Sequence, residues 1–427
     1  MTSPILLSTV GGSHQPILTA IRERRPAFVL FFCTDKDPGT GRPGSLATIT
    51  GNGTPIEVRR GAEVIERLPN IPTLASLAAN DFDTCTVPPD DLDGAVAKML
   101  ETIAGLRSRF PDAPLVADYT GGTKTMTAAL VIAALESDGV ELQLVTGARA
   151  DLIKVFDGSQ SGLTVSAEGI RLRRAMAPYL AAWQHFAYGE AADGLAVLRV
   201  PSAHALRAEL QIARDLSRAF DAWDRFDHAA ALGQLEVYRP RLGAAGAPWF
   251  TALKVLTAGP ADLRRTPARL WDLWLNAQRR AAQCRYDDAV ARGYRLLEWT
   301  AQWLLGTIEI DTSDLREDQI PAGLRIHPGP DGKRQAALRN AWELAAHHLG
   351  GEVQRFVESE RNHLLDHLRK RNYSILAHGD LPITGSDWEG FSAWIESALI
   401  PLLRQRATLS GLKALGAQLP QQPIWQP

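Results

Sequence analysis

Two short tracts carry the residue types that chemistry needs. The first is Ala117-Asp118-Tyr119-Thr120-Gly121-Gly122-Thr123-Lys124-Thr125-Met126, which joins the apolar run Pro114 to Ala117 to a second one, Met126 to Leu135. Glycines let backbone N–H groups approach a ligand closely, a following helix points its positive end at the loop, and Lys124 adds a full charge. That combination binds phosphate or another anion. The second tract is Arg371-Asn372-Tyr373-Ser374-Ile375-Leu376-Ala377-His378-Gly379. On a continuous helix, seven positions turn the chain through roughly 700°, so Arg371 and His378 would share a face. Arg donates to phosphate, and His exchanges protons near neutral pH. The pair suits metal-free cleavage of an RNA phosphodiester. The 2′-OH attacks the adjacent phosphate while a cation stabilises its oxygens.

Other residues join or compete with these. Val10-Gly11-Gly12-Ser13-His14 follows the strand-like run Ile5 to Val10. If both loops leave the same sheet edge, Gly11, Gly12, Ser13, Thr120, Gly121, Gly122, Thr123, Lys124 and Thr125 outline one pocket, because open α/β sheets bind ligands beyond the carboxyl ends of their strands. The alternative is two tight turns without a ligand. Thr123 stands where a Walker loop requires Gly, and Gly11-Gly12 lacks the dinucleotide fingerprint. Asp118 either caps nearby backbone N–H groups or holds a ribose hydroxyl. His14 either meets the ligand or is a solvated loop residue. Two other Arg–His pairs have similar spacing, Arg199/His204 and Arg361/His367. The first contains Pro201, and the second would put its side chains about 120° apart on a helix. His367, four before Arg371, would join its face as an auxiliary. For His378 the competing role is a helix C-terminal His ahead of the stop signal Gly379.

The elements that must position these residues differ between the two ends. Residues 1 to about 160 alternate short apolar strands with helices: Ile5 to Val10, Ala27 to Phe32, a helix from Asp91 to Arg109, then the loop tract and a strand at Glu141 to Val145. That pattern predicts a parallel sheet covered on both faces. Leu152 to Phe156 and Leu163 to Ser166 read as a terminal hairpin. From about 170, strand signals give way to Ala, Leu, Arg and Trp at helical spacing, with breaks at Gly243 to Pro248, Gly259-Pro260 and Ile320 to Gly332. The Pro- and Gln-rich end, Gln418 to Pro427, reads as a flexible tail. The chain is 45% apolar and 22% charged with a net charge of −2, so no global positive field recruits nucleic acid and any RNA contact rests on a local patch. Its three cysteines show no metal spacing, and no apolar run reaches a membrane span. These features point to a cytoplasmic protein without a metal site.

Arg371-Asn372 with Leu376-Ala377-His378-Gly379 resembles the Arg–His signature of HEPN ribonucleases, and Tyr286 to Glu298 resembles an earlier helix of such domains. Asp118 to Thr125 resembles the ligand loop of CARF domains, the Rossmann-like sensors associated with CRISPR. The two in this order resemble the CARF–HEPN ribonucleases that accompany type III CRISPR systems. The resemblance implies a CARF domain at residues 1–165, a helical linker segment at 166–275, a HEPN domain at 276–408 and a tail at 409–427. It implies a homodimer activated by a cyclic tetra- or hexa-adenylate bound across the two-fold axis. Gly12, Ser13, Thr123, Lys124 and Thr125 would contact the ring. Arg371 and His378 of both chains would cut single-stranded RNA, with Asn372 orienting them and no cofactor. Some relatives also cleave the ring slowly, and Thr9, Ser13 and Lys124 are compatible with that. The rivals are a CARF sensor without nuclease activity, or a Rossmann enzyme acting on a nucleotide-like molecule.

Overall fold

Phe28-Val29-Leu30-Phe31-Phe32-Cys33 offers water no polar side chain, and every one of its residues is buried in the sheet of the first unit. The computed structural model describes residues 3–60, 63–146, 149–151, 154–155, 161–372, 374–375 and 379–425. They form two compact units, Met1–Arg173 and Arg174–Pro427.

The first unit runs β1 (Ile5–Thr9), α1 (Gln15–Arg24), β2 (Phe28–Cys33), α2 (Ala47–Thr50), β3 (Ile56–Arg60), β4 (Glu63–Leu68), α3 (Ile71–Leu74), β5 (Phe82–Thr86), α4 (Leu92–Arg109), β6 (Leu115–Asp118), α5 (Lys124–Glu136), β7 (Val140–Thr146), β8 (Arg149–Asp151), β9 (Lys154–Val155) and β10 (Ser161–Val165), and the division falls within α6 (Glu168–Ala181). Its main sheet has the order β10-β7-β6-β1-β2-β5, parallel except for β10. Alternate residues of the central strands face opposite layers. Ile5, Leu7, Leu30 and Ala117 pack with Met99 and Ile103 of α4 and Leu130 of α5. Leu6, Val29, Phe31 and Val116 pack with Ile17, Leu18 and Ile21 of α1. The expected terminal hairpin, Leu152 to Phe156 with Leu163 to Ser166, lies partly outside the described residues. β10 pairs antiparallel with β7, Leu163 opposite Leu144, while β8 and β9 make a separate small ribbon. The outer edge of β7 offers its hydrogen-bonding row to the returning strand, which pairs with it from Ser161 to Val165.

The second unit is helical: α7 (Tyr188–Ala196), α8 (His204–Asp224), α9 (His228–Val237), α10 (Arg239–Leu256), α11 (Arg265–Ala282), α12 (Tyr286–Gly306), α13 (Leu338–Leu349), α14 (Gly351–Asn372), α15 (Gly385–Trp394), a π-helical turn (Ile395–Leu399) and α16 (Ile400–Leu409). A boundary at residue 275 would cut α11, whose buried stripe of Leu270, Leu273, Trp274 and Ala277 runs through it. The break expected at Gly243 to Pro248 is a kink, carried by Gly243 at φ 49°, ψ −137° within α10.

Buried charges bind α8 and α9 to α11. Arg279 is fully buried; its Nε donates to Asp224 Oδ1 at 2.7 Å, and Arg280 also pairs with Asp224. Asn276 donates to the same carboxylate at 2.9 Å. Asp272 accepts from Trp223 Nε1 at 3.0 Å and pairs with His228 Nε2 at 2.8 Å. Residues 416–425 are docked on this unit, contrary to the flexible tail expected from their Pro and Gln content. Tyr188, Trp249 and Trp271 donate to the carbonyls of Pro420, Gln418 and Gly416. Gln418 accepts from Arg279 Nη1 and donates to the Leu275 carbonyl, and Leu419 and Trp425 are buried. An irregular segment has free carbonyls, and buried or half-buried Trp and Tyr donors need acceptors, so each satisfies the other.

Candidate functional site

The loops Val10–His14 and Tyr119–Thr123 leave the carboxyl ends of β1 and β6, which are hydrogen-bonded neighbours. From β1 the chain crosses to β2 on one side, and β6 fills the other side later. The loops therefore flank a topological switch point, where open α/β sheets bind ligands. They also touch. A Cβ on Gly11 would lie 2.5 Å from Gly122 N, and one on Gly121 would lie 2.7 Å from the Thr9 carbonyl oxygen. Gly122 sits at φ +93°, a backbone region that favours glycine. Gly12 has nothing within 4 Å of an added Cβ. Gly12 and Ser13 are exposed, and His14 is half-buried just ahead of α1.

Hydroxyl groups brace this backbone. Thr9 Oγ1 donates to the Gly121 carbonyl at 2.5 Å, and Thr127 Oγ1 donates to it at 3.2 Å. Thr123 caps α5 by accepting from Met126 N at 3.2 Å, and it donates to the Pro89 carbonyl at 2.9 Å. Thr120 Oγ1 accepts from Val145 N at 2.7 Å. Asp118, open between capping and ribose binding in the sequence, is a cap here: Oδ1 accepts from Thr120 N at 2.9 Å and Oδ2 from Gln143 Nε2 at 3.0 Å. Burial pushes its carboxyl above the usual carboxylate range, opposed by those hydrogen bonds and by Arg24. Lys124 is exposed at the first position of α5, and Thr125 is half-buried beside it. The loop therefore presents N–H groups, a helix N-terminus and one ammonium group, the donor set for a phosphate-rich ligand.

The second site is described in part. α14 ends at Asn372, so Arg371 and Asn372 occupy its last turn; His378 lies outside the described residues. The expectation that Arg371 and His378 share one helix face falls on His378, outside the described residues; of the residues between Asn372 and His378, Ser374 and Ile375 are described and are not helical. Ser374 is buried and forms an isolated parallel bridge with Leu381; Ile375 N donates to the Leu381 carbonyl and Gly379 N to the Ser374 carbonyl. Ser and Ile are weak helix formers, and pairing with Leu381 outweighs further winding. Asp287 of α12 accepts from Ile383 N at 3.2 Å, and Thr384 caps α15 with Asp387. Arg361 pairs with Glu343 of α13 at 2.5 Å. Among the described residues, no group of three or more His, Cys, Asp or Glu is placed to hold a metal, and no helix is long and apolar enough to cross a membrane.

Residues 261–401 match the family described as the Csm6 HEPN domain. That stretch begins before α11 and ends in α16. The solved structure of Enterococcus italicus Csm6 bound to cyclic hexa-2′-fluoro-hexa-dAMP has the same fold: the TM-score is 0.51 at 12% identity, over 96% of this chain and 100% of that one. The chain is Csm6-like. No curated protein matches it. The Csm6-like architecture agrees with the fold read from the sequence, a parallel-rich sheet followed by helices. Two structural roles escaped that reading. Gln143 and Glu141 alternate with Leu142 and Leu144 in a strand flanked by buried neighbours, and that pattern was the available signal. Asp287 lay inside the tract that carried the HEPN resemblance, but its role as an anchor for Ile383 needed the tertiary structure.

Proposed function

We propose that this Csm6-like protein is a metal-independent single-stranded RNA endoribonuclease of type III CRISPR antiviral defence, activated by a cyclic oligoadenylate. The observation that carries the proposal is the pair of touching glycine loops at the switch point, with Lys124 at a helix N-terminus, in one chain with the Csm6 HEPN match. A cyclic tetra- or hexa-adenylate brings several phosphates to such donors, with Gly11, Gly12, Ser13 and Gly121 to Thr125 around it. Arg371 would stabilise the phosphate oxygens and His378 would move the proton, with Asn372 orienting them. A homodimer supplies two such pairs, since one Arg–His pair is a thin catalytic set and symmetry doubles it. No cofactor is required. A ring-cleaving side activity would fall to Ser13 and Lys124, because the Thr9 hydroxyl already donates to the Gly121 carbonyl.

The test is a fluorogenic single-stranded RNA assay with and without each ring, repeated in EDTA. The expected result is cleavage only with a ring, unaffected by EDTA, leaving 2′,3′-cyclic phosphate and 5′-hydroxyl ends. Ring binding without any cleavage would favour the sensor reading. Strict dependence on a divalent metal would overturn the mechanism.

A further inference from the structure

A polar row crosses the sheet beneath the glycine loop. Ser8, Asp118, Gln143 and Thr164 are successive register partners on β1, β6, β7 and β10. They lie on the face covered by α1, where their strand neighbours Leu6, Val116 and Val145 are core. Asp118 is 2% exposed and Gln143 is fully buried. From Asp118 to Thr164 the contacts are continuous, while Ser8 Oγ makes no hydrogen bond among the described residues. Thr120 N donates to Asp118, and Gln143 Nε2 donates to Asp118. Arg24 Nε donates to Gln143 Oε1, and Arg24 Nη2 donates to Glu141 Oε1 at 2.5 Å and Thr164 Oγ1 at 2.9 Å. Thr164 in turn donates to Glu141 at 2.8 Å.

The Gln143 amide has one orientation that satisfies both neighbours, oxygen to the guanidinium and N–H to the carboxylate. Stability alone does not call for this arrangement. Well-packed apolar residues in place of a buried charged set are often neutral or better. What the row supplies is direction, since each group fixes the next until the backbone of Thr120 is held.

We propose that Gln143 and Arg24 are positioning residues for the glycine loop, acting through Asp118, and that they tie this loop to β10, the strand that leads into α6. Its functional meaning rests on the ligand site proposed above, but the link itself exists without a ligand. Position 143 faces Asp118 on β6, Arg24 on α1 and Thr164 on β10; Glu141 meets the same guanidinium, and Glu23 of α1 accepts from Gly162 N beside it. A carboxyl at 143 would therefore oppose Asp118 while keeping Arg24. Two carboxyls in contact share a proton as pH falls.

Hydrogen exchange of the unliganded protein tests the link, read on the peptides spanning 119–127 and 161–165 and corrected for intrinsic pH dependence. Gln143→Leu should speed exchange of both peptides by about tenfold or more at every pH, as expected when a buried acceptor loses its donor. Gln143→Glu should behave like Gln143→Leu at pH 8 and regain protection towards pH 5.5. Arg24→Gln, at a half-buried position, should loosen the same two peptides and serves if a variant at 143 does not fold. Wild-type protection of the loop in folded Gln143→Leu or Arg24→Gln protein, or a Gln143→Glu protein without recovery at low pH, would overturn the proposal. Absence of ring binding by the wild type would count against the proposed function and leave this result standing.

Discussion

The two units place polar atoms by opposite means. Around the glycine loops the donors are backbone N–H groups, brought together by Gly11 against Gly122 and Gly121 against Thr9. Where α8, α9, α11 and residues 416–425 meet, the central polar atoms belong to charged side chains, Asp224, Asp272, Arg279 and Arg280. A backbone site needs small residues close in sequence to a strand end. A side-chain lattice needs partners whose pairing is set only by the fold: Asp224 and Arg279 are 55 residues apart. The first arrangement leaves a local signature, and the second leaves almost none. The two should also fail differently. A backbone site should weaken by degrees when a side chain is removed, whereas a site or core built from few charges should fail sharply.

The sharpest failure is expected at the proposed nuclease residues. His378→Ala should lower RNA cleavage by ~10²–10⁴, the usual loss of general acid–base help, with ring binding and dimerisation unchanged. His367→Ala should cost much less. Single-turnover cleavage rates at saturating ring check this. An active His378→Ala protein beside a dead His367→Ala protein would move the catalytic assignment to His367.

Next in size is the lattice. Asp224→Ala leaves Arg279 and Arg280 without their shared carboxylate, and breaking a buried pair in this way costs ~3–5 kcal/mol. Urea unfolding should show the loss in the helical unit while the sheet unit keeps its own midpoint. A change below ~1 kcal/mol would mean that the chain-end and Asn276 contacts carry the junction instead, and the contrast between the units would not hold.

These contrasts track what was legible. The parallel sheet was legible because Phe28 to Cys33 and Leu115 to Ala117 are apolar throughout, and only a doubly covered strand tolerates that. The glycine loop at the end of β6 was legible because Gly121, Gly122 and Lys124 stand close together between an apolar strand and an apolar helix. The helix end at Asn372 was not, since Ser374 pairs with Leu381, a partner that periodicity does not show. The docked chain end was missed for the same kind of reason. Gln418 and Pro420 look solvent-loving as composition, yet their carbonyls are the acceptors that Trp249 and Tyr188 need.

A graded loss is expected at Lys124. Lys124→Ala should weaken ring binding by ~1.5–3 kcal/mol, the worth of a charge-assisted hydrogen bond, and leave the unliganded fold as it was, because the residue is exposed. Activation should return in part at high ring concentration by mass action. Calorimetric titration together with an activation curve measures both. Unchanged activation at low ring concentration would remove Lys124 from the site and leave the backbone donors to act alone.

The smallest effect separates two adjacent glycines. Gly11 and Gly12 look equivalent in the sequence, but an added Cβ at Gly11 would lie 2.5 Å from the Gly122 nitrogen, while at Gly12 it would meet nothing within 4 Å. Gly11→Ala must push one loop off the other, so overpacking of ~1–3 kcal/mol and a displaced Gly121–Gly122 backbone are expected. Gly12→Ala should change thermal stability by less than ~0.5 kcal/mol, as surface substitutions do. If the ring lies against this exposed backbone, the same silent methyl group should still weaken ring binding. A Gly12→Ala protein with wild-type stability and reduced ring affinity would place the ligand on that face of the loop. Equal effects of the two substitutions on stability would show that the loops are not held against each other by the absence of a side chain at Gly11.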